Sequence, residues 1–365
     1  MTKRIDYLDI AKGIGILLVV MGHNDFELIS PLLNKLFHAF RMPLFFFVSG
    51  MFFNLEQPFL RLLRRRFESV LKPYFVIALI IYIVTLSFSR ASLLVTTTQL
   101  LKSFYATPRY IDWVPLWFLP HLFAVNIFAF WFYWLVKHSR LPWLKWVLLP
   151  IVLIIGVLTI DRFWPITLTF SGKQFSIYGL PFSLDLVLIS GFFFILGKEI
   201  KILEPGRLFS NPLPGIFSGV ILLCMVILLP QNLDLSTRIF DSLVVNTIEA
   251  ALGILFVLTI ARLIEKNPFL LTIFRYIGQS SLIILIFHLP IEEAWGEKML
   301  SIFHNPVISF WIAYTASILG PILINHYLIK PNHFVRSWFG QQPIPNDPIS
   351  LSVPTTESCY PKYNN

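Results

Sequence analysis

Apolar residues dominate ten stretches of this chain, at roughly 10–28, 38–55, 71–88, 116–136, 144–160, 180–197, 214–230, 243–263, 279–296 and 307–328, with short polar connections between them. A helix needs about 20 apolar residues to cross the hydrocarbon of a bilayer. Each stretch is close to that length, so the pattern predicts an all-α, polytopic integral membrane protein of about ten transmembrane helices. Alternating runs of about ten residues, which would indicate a membrane β-barrel, are absent. The third connection, about 89–115, is the longest and ends in Pro108, Trp113, Pro115 and Trp117, a composition suited to the membrane interface. The stretch 161–179 is polar and aromatic and is expected at the surface. Beyond Trp338 the chain turns polar and proline-rich. Residues 1–336 therefore read as the transmembrane domain, and 337–365 as a disordered cytoplasmic tail.

Composition supports the pattern: 56% of the 365 residues are hydrophobic and 13% charged, with a mean hydropathy of +0.72. A soluble domain of this length needs more polar surface. The net charge of +9 does not point to nucleic acid, because the basic residues sit in clusters between apolar runs rather than on one face. Clusters so placed meet anionic headgroups and set topology. With the N-terminus inside, 20 of the 29 Lys and Arg residues fall on the inner side, which favours N-in/C-in across a plasma or inner cell membrane. Cys224 lies in an apolar run and Cys359 in the tail, so no disulfide is expected, and no Cys/His set has metal-ligand spacing.

Ionisable residues at membrane depth are costly and often mark function. The first apolar segment, LDIAKGIGILLVVMGHND, carries Asp9, Lys12 and His23. Eleven residues are close to three helical turns, so Lys12 and His23 share a face and stand about 16 Å apart along the axis. Asp9 can pair with Lys12 at i,i+3. The alternative is structural: Lys12 snorkels to headgroups while His23 makes one hydrogen bond. In FHAFRMPLFFFVSG, His38 and Arg41 precede Pro43 at a helix start, which also fits an ordinary aromatic belt with an interfacial arginine. The densest basic patch, RLLRRRFESVLKPY, holds Arg64, Arg65 and Arg66, suited either to phosphates of an anionic ligand or to lipid headgroups. In the ninth segment, His288 stands in an apolar run ahead of Glu292 and Glu293.

Four landmarks, in order, are LDIAKGIGILLVVMGH, FRMPLFFFVSG, RRRFESVLKPY with WFLPHLF (117–123) behind it, and IGQSSLIILIFH. Together they resemble the membrane acyltransferase family 3, which includes polysaccharide O-acetyltransferases and fucose 4-O-acetylase-like proteins, over roughly residues 5–330. The resemblance implies transfer of an acyl group, usually acetyl, from cytoplasmic acyl-coenzyme A to a hydroxyl of a sugar or polysaccharide precursor. The family's Arg, followed after ten intervening residues by His, is here Lys12 with His23. Of its R-x-x-R pair, Arg66 is present and Ser69 takes the second place. The resemblance makes acetyl-coenzyme A the expected donor co-substrate, with the lipid bilayer as the surroundings and no metal. Lys12, Arg66, Arg65 and Arg64 are then the candidates for its phosphates. The candidate catalytic residues are His23, as general base, since a neutral imidazole near pH 7 suits that task, and Asp9, which orients Lys12. Arg41, Trp117, His288 and Glu292 are candidates for the acceptor side. A transporter or flippase for an anionic solute is the alternative from the same buried groups, and a non-catalytic sensor or scaffold a third class.

Overall fold

Residues 5–23, 26–88, 92–170, 172–202 and 211–340 are described by a computed structural model. Each of the ten apolar segments carries a helix. The main helices are α1 (Asp6–Met21), α2 (Arg41–Met51), α3 (Phe59–Phe88), α4 (Leu93–Tyr105), α5 (Phe118–Ser139), α6 (Leu144–Thr159) and α7 (Val187–Ile202). They continue with α8 (Leu213–Leu228), α9 (Leu243–Glu265), α10 (Pro268–Gln279), α11 (Ser281–Phe303), α12 (Pro306–Ile324) and α13 (His333–Trp338). Among the described residues, five helical segments are long and apolar enough to cross a membrane: α3, Val114–Ser139, Pro181–Lys201, α9 and Pro306–Ile329. The pair α10–α11, bent by 74°, makes a sixth when taken as one span. The protein is therefore a helical, multi-pass membrane protein.

The remaining apolar helices are shorter than the pattern suggests. With 16 and 11 residues, α1 and α2 rise only about 24 and 17 Å, against roughly 30 Å of hydrocarbon. Backbone that leaves a helix at such depth is tolerated only where protein or a cavity surrounds it. His23 follows the end of α1 and Arg41 begins α2, so the two helix ends place both side chains inside the bundle rather than at its rim.

Packing of α1 explains how its face is fixed. A Cβ built on Gly278 of α10 would stand 1.8 Å from the Asp9 carbonyl oxygen, and one on Gly13 would stand 2.5 Å from the Phe274 carbonyl oxygen. The two backbones meet with no side chain between them, which only glycine allows. The core around them is rich in phenylalanine, with Phe46, Phe47, Phe193 and Phe194 fully buried.

Two connections hold more order than their composition implies. The stretch 89–115 contains α4, capped by Ser92, whose Oγ accepts from the Val95 N–H at 3.3 Å. It packs back along α3 and is tied there by Tyr74, which donates to the Ser103 carbonyl. Its threonine-rich pattern conceals a helix because Thr96 and Thr98 return their hydroxyls to their own backbone. Within 161–179, β1 (Ile166–Phe170) and β2 (Lys173–Ile177) form an antiparallel hairpin, Ile166 opposite Ile177. A second short hairpin joins β3 (Leu233–Asp234) to β4 (Ile239–Phe240). Residues expected to begin the tail are helical through Trp338, and Phe339 is buried. The tail proper, 341–365, lies outside the described residues, as do Lys3, Arg4, Arg207 and Cys359.

Candidate active site

The site is built where α1 ends. The His23 N–H bonds the Val20 carbonyl at 3.2 Å, so the chain keeps helical form up to the imidazole. Gly22, one residue before, leaves the space that the Arg41 guanidinium fills: a Cβ there would lie 1.3 Å from Arg41 Nη1. Arg41 is buried. Its Nη2 donates to His38 Nδ1 at 3.4 Å, while Nη1 is buried with no hydrogen-bond partner among the described residues. His38, in the short helix Pro31–His38 between α1 and α2, is lowered to about 4, first by burial and then by the Arg41 charge, with Asp234 opposing. A neutral imidazole is what lets its Nδ1 accept from Arg41.

Across from His23 stands His288 of α11, ring centroids 5.4 Å apart and tilted by 50°. His288 is fully buried, and its Nδ1 bonds the carbonyls of Ile284 at 2.9 Å and Leu285 at 3.0 Å. Beside His23 a small cleft is lined by His23, Val19, Met42, Phe45, Trp117 and Leu285. The structure thus brings together four residues that the sequence offered separately: His23, Arg41, Trp117 and His288. Glu292 lies one turn beyond His288 on α11, buried, and does not line this cleft.

Behind Trp117 lies a residue that the sequence reading passed over. His121 is fully buried, its ring 5.3 Å from that of Trp117. One ring nitrogen donates to the Phe182 carbonyl at 3.2 Å and the other accepts from Ser190 Oγ at 2.8 Å. It holds in place Phe182 and Ser183, two consecutive non-glycine residues with φ of 56° and 53°. An imidazole one turn from Trp117 in WFLPHLF was the available signal.

Lys12 sits on the second turn of α1, about three turns back from His23, 3.8 Å from Asp9 Oδ1 and with its ammonium 3.7 Å from the centre of the Phe52 ring. Asp9 is therefore a partner of Lys12 and stands about 21 Å along the axis from His23, too far to act on the imidazole directly. Lys201 of α7 approaches the same Phe52 ring at 5.5 Å, a second cation that the sequence reading used only for topology. The arginine cluster is placed differently. Arg64 points outward and pairs with Glu68 at 3.1 Å, and Arg65 reaches Gln57 at 3.5 Å. Arg66 is half-buried at the start of the π-helical turn Phe67–Leu71 that contains Ser69. The contacts of Arg64 and Arg65 stay within their own stretch, residues 57–68.

A membrane bundle with two imidazoles side by side, one of them lining a small cleft, a buried guanidinium packed next to it, and two cations over the Phe52 ring has the parts an acyl-transfer enzyme needs. The chain matches the family described as "Acyltransferase domain" over residues 5–326, nearly all of the bundle. It belongs to the membrane acyltransferase family 3 and is an acyltransferase, which decides between the enzyme and the transporter weighed from sequence. Comparison with curated proteins and with solved structures gives no match.

Proposed function

We propose that the protein moves an acetyl or similarly short acyl group from cytoplasmic acyl-coenzyme A to a hydroxyl of a sugar or polysaccharide precursor. What supports this reading is that His23 lines a cleft while Arg41, packed against the neighbouring Gly22, keeps a buried Nη1 with no hydrogen-bond partner among the described residues. In the reaction, His23 takes the proton of the acceptor hydroxyl as its oxygen attacks the thioester carbonyl. Arg41 Nη1 donates to the oxyanion that forms, in a setting where water does not compete. The C–S bond then breaks, and the thiolate of coenzyme A leaves with the proton carried by His23. Trp117 forms one wall of the acceptor side.

The donor's phosphates are held about three turns back from His23 along α1 by Lys12, supported by Asp9, with Lys201 and Arg66 completing the cationic mouth. Arg64 and Arg65, already engaged, stand at its rim. That mouth is cytoplasmic if the basic residues set topology as expected. The axial rise from Lys12 to His23, about 16 Å, suits an extended pantetheine arm.

The test is labelled acetyl transfer in membranes from cells expressing variants. His23→Ala that inserts normally is expected to lose about 100-fold or more in transfer. Lys12→Ala is expected to raise the KM for acetyl-coenzyme A about tenfold while leaving kcat. Near-full transfer by His23→Ala would sink the base assignment, and an unchanged KM in Lys12→Ala would remove Lys12 from the donor site.

A further inference from the structure

We propose that His288 is a positioning residue that fixes the tautomer of His23, an inference that rests on the reading of His23 as the base. Carbonyl oxygens only accept hydrogen bonds. The two that face His288 Nδ1, from Ile284 and Leu285, therefore place the ring proton on that nitrogen. His288 Nε2 is then the lone-pair nitrogen. It is buried and has no hydrogen-bond partner among the described residues. A buried acceptor left without a donor is unfavourable, and an apolar side chain would fill the same space without that cost. Retaining an imidazole here calls for a donor, and the ring beside it is His23, at 5.4 Å between centroids. The structure holds no hydrogen bond between the two rings, which are tilted by 50°, but their separation is one that a bond of about 3 Å between nitrogens can span once the His23 ring turns its N–H toward Nε2.

One arrangement satisfies every group in the line. Backbone carbonyls accept from His288 Nδ1–H, and His288 Nε2 accepts an N–H from His23. The remaining His23 nitrogen then carries the lone pair and faces the cleft that it lines. When His23 takes the acceptor proton it becomes an imidazolium and keeps its other N–H on His288. When the thiolate departs, that newly gained proton leaves with it. His288 changes protonation in neither step: its part is to keep the correct nitrogen of His23 unprotonated and aimed, the work a third group does for any acid–base histidine.

The test uses the full chain in nanodiscs with acetyl-coenzyme A as donor and native membrane glycan as acceptor. His288→Leu, which has no acceptor, is expected to lose about 100-fold in kcat with KM for acetyl-coenzyme A within about twofold. His288→Gln, whose amide oxygen can accept where Nε2 did, is expected to recover at least a tenth of the native rate. In a His23→Ala background, His288→Leu should cost nothing further, because the two act as one unit. Equal rates for Leu and Gln, or a loss that adds to that of His23→Ala, would overturn the proposal while leaving His23 as the base. Nitrogen-15 spectra of the native protein give a second measure that needs no variant at position 288 to fold, with His23→Ala identifying the signal. One protonated and one bare nitrogen on His23 are expected, and a mixture of tautomers overturns the inference. Full activity in His23→Ala alone would instead remove the underlying reading.

Discussion

Protonation states at the His23 end depend on one another through short contacts. His38 stays neutral because burial and Arg41 both oppose a second positive charge, with its folded value lowered to about 4. The unfolded chain titrates this histidine near 6.5. Between those values the unfolded state binds a proton that the folded state refuses, so stability is complete above about pH 6.5 and falls as pH drops toward 4. A melting series in detergent should show that decline, and His38→Gln should flatten it; an equal slope in both proteins would exclude His38 as its source. Single residues were the most legible part of this molecule. His23, Arg41 and His288 each interrupt an apolar run, and desolvation makes such interruptions informative. Lys201 was hidden for the opposite reason: a lysine at a helix end is ordinary, and only the fold shows that it shares the Phe52 ring with Lys12.

Among helices, the decisive contact is the crossing of α1 and α10, backbone against backbone. Gly278→Ala pushes a methyl group into the Asp9 carbonyl, which cannot move without moving the whole helix. The expected cost is about 1–3 kcal/mol, read as a drop of several degrees in Tm. Gly296 of α11 has nothing within 4 Å of its Cβ position, so Gly296→Ala is the matched control and should hold or raise Tm. Similar Tm values for both variants would show the crossing to be looser than described. Hydropathy found each of these helices but not where they stop, since an apolar run reads alike whether its helix continues or ends inside the bundle. The end of α1 and the start of α2 meet where Arg41 fills the space beside Gly22, a tertiary contact that no single-segment pattern encodes. The α4 helix was missed because threonine disguises it.

Across the molecule, distant connections are tied by one buried ion pair. Arg238, from the turn between β3 and β4, meets Asp185, just before α7, at 2.8 Å, with side-chain exposures of 1% and 0%. The guanidinium also lies 4.1 Å from the Trp164 ring, joining a third segment. Arg238→Met would leave a buried carboxylate without its partner, and about 3–5 kcal/mol of stability should be lost. Asp185→Leu added to that variant should restore much of it; a double variant as unstable as the single one would contradict this account. None of this was visible in the sequence, where the two residues stand 53 positions apart in stretches without pattern.

Lys12 stands on the second turn of α1, and the His23 imidazole stands eleven residues on, in the turn that closes the helix. On the proposed reading α1 therefore acts as a gauge for the donor. An anchored arm that is too short leaves its thioester below the imidazole, whatever acyl group it bears. Inserting a single residue between Lys12 and His23 would swing the imidazole about 100° around the axis for a rise of only about 1.5 Å. The length of the carrier, more than the identity of its cargo, is what this helix measures.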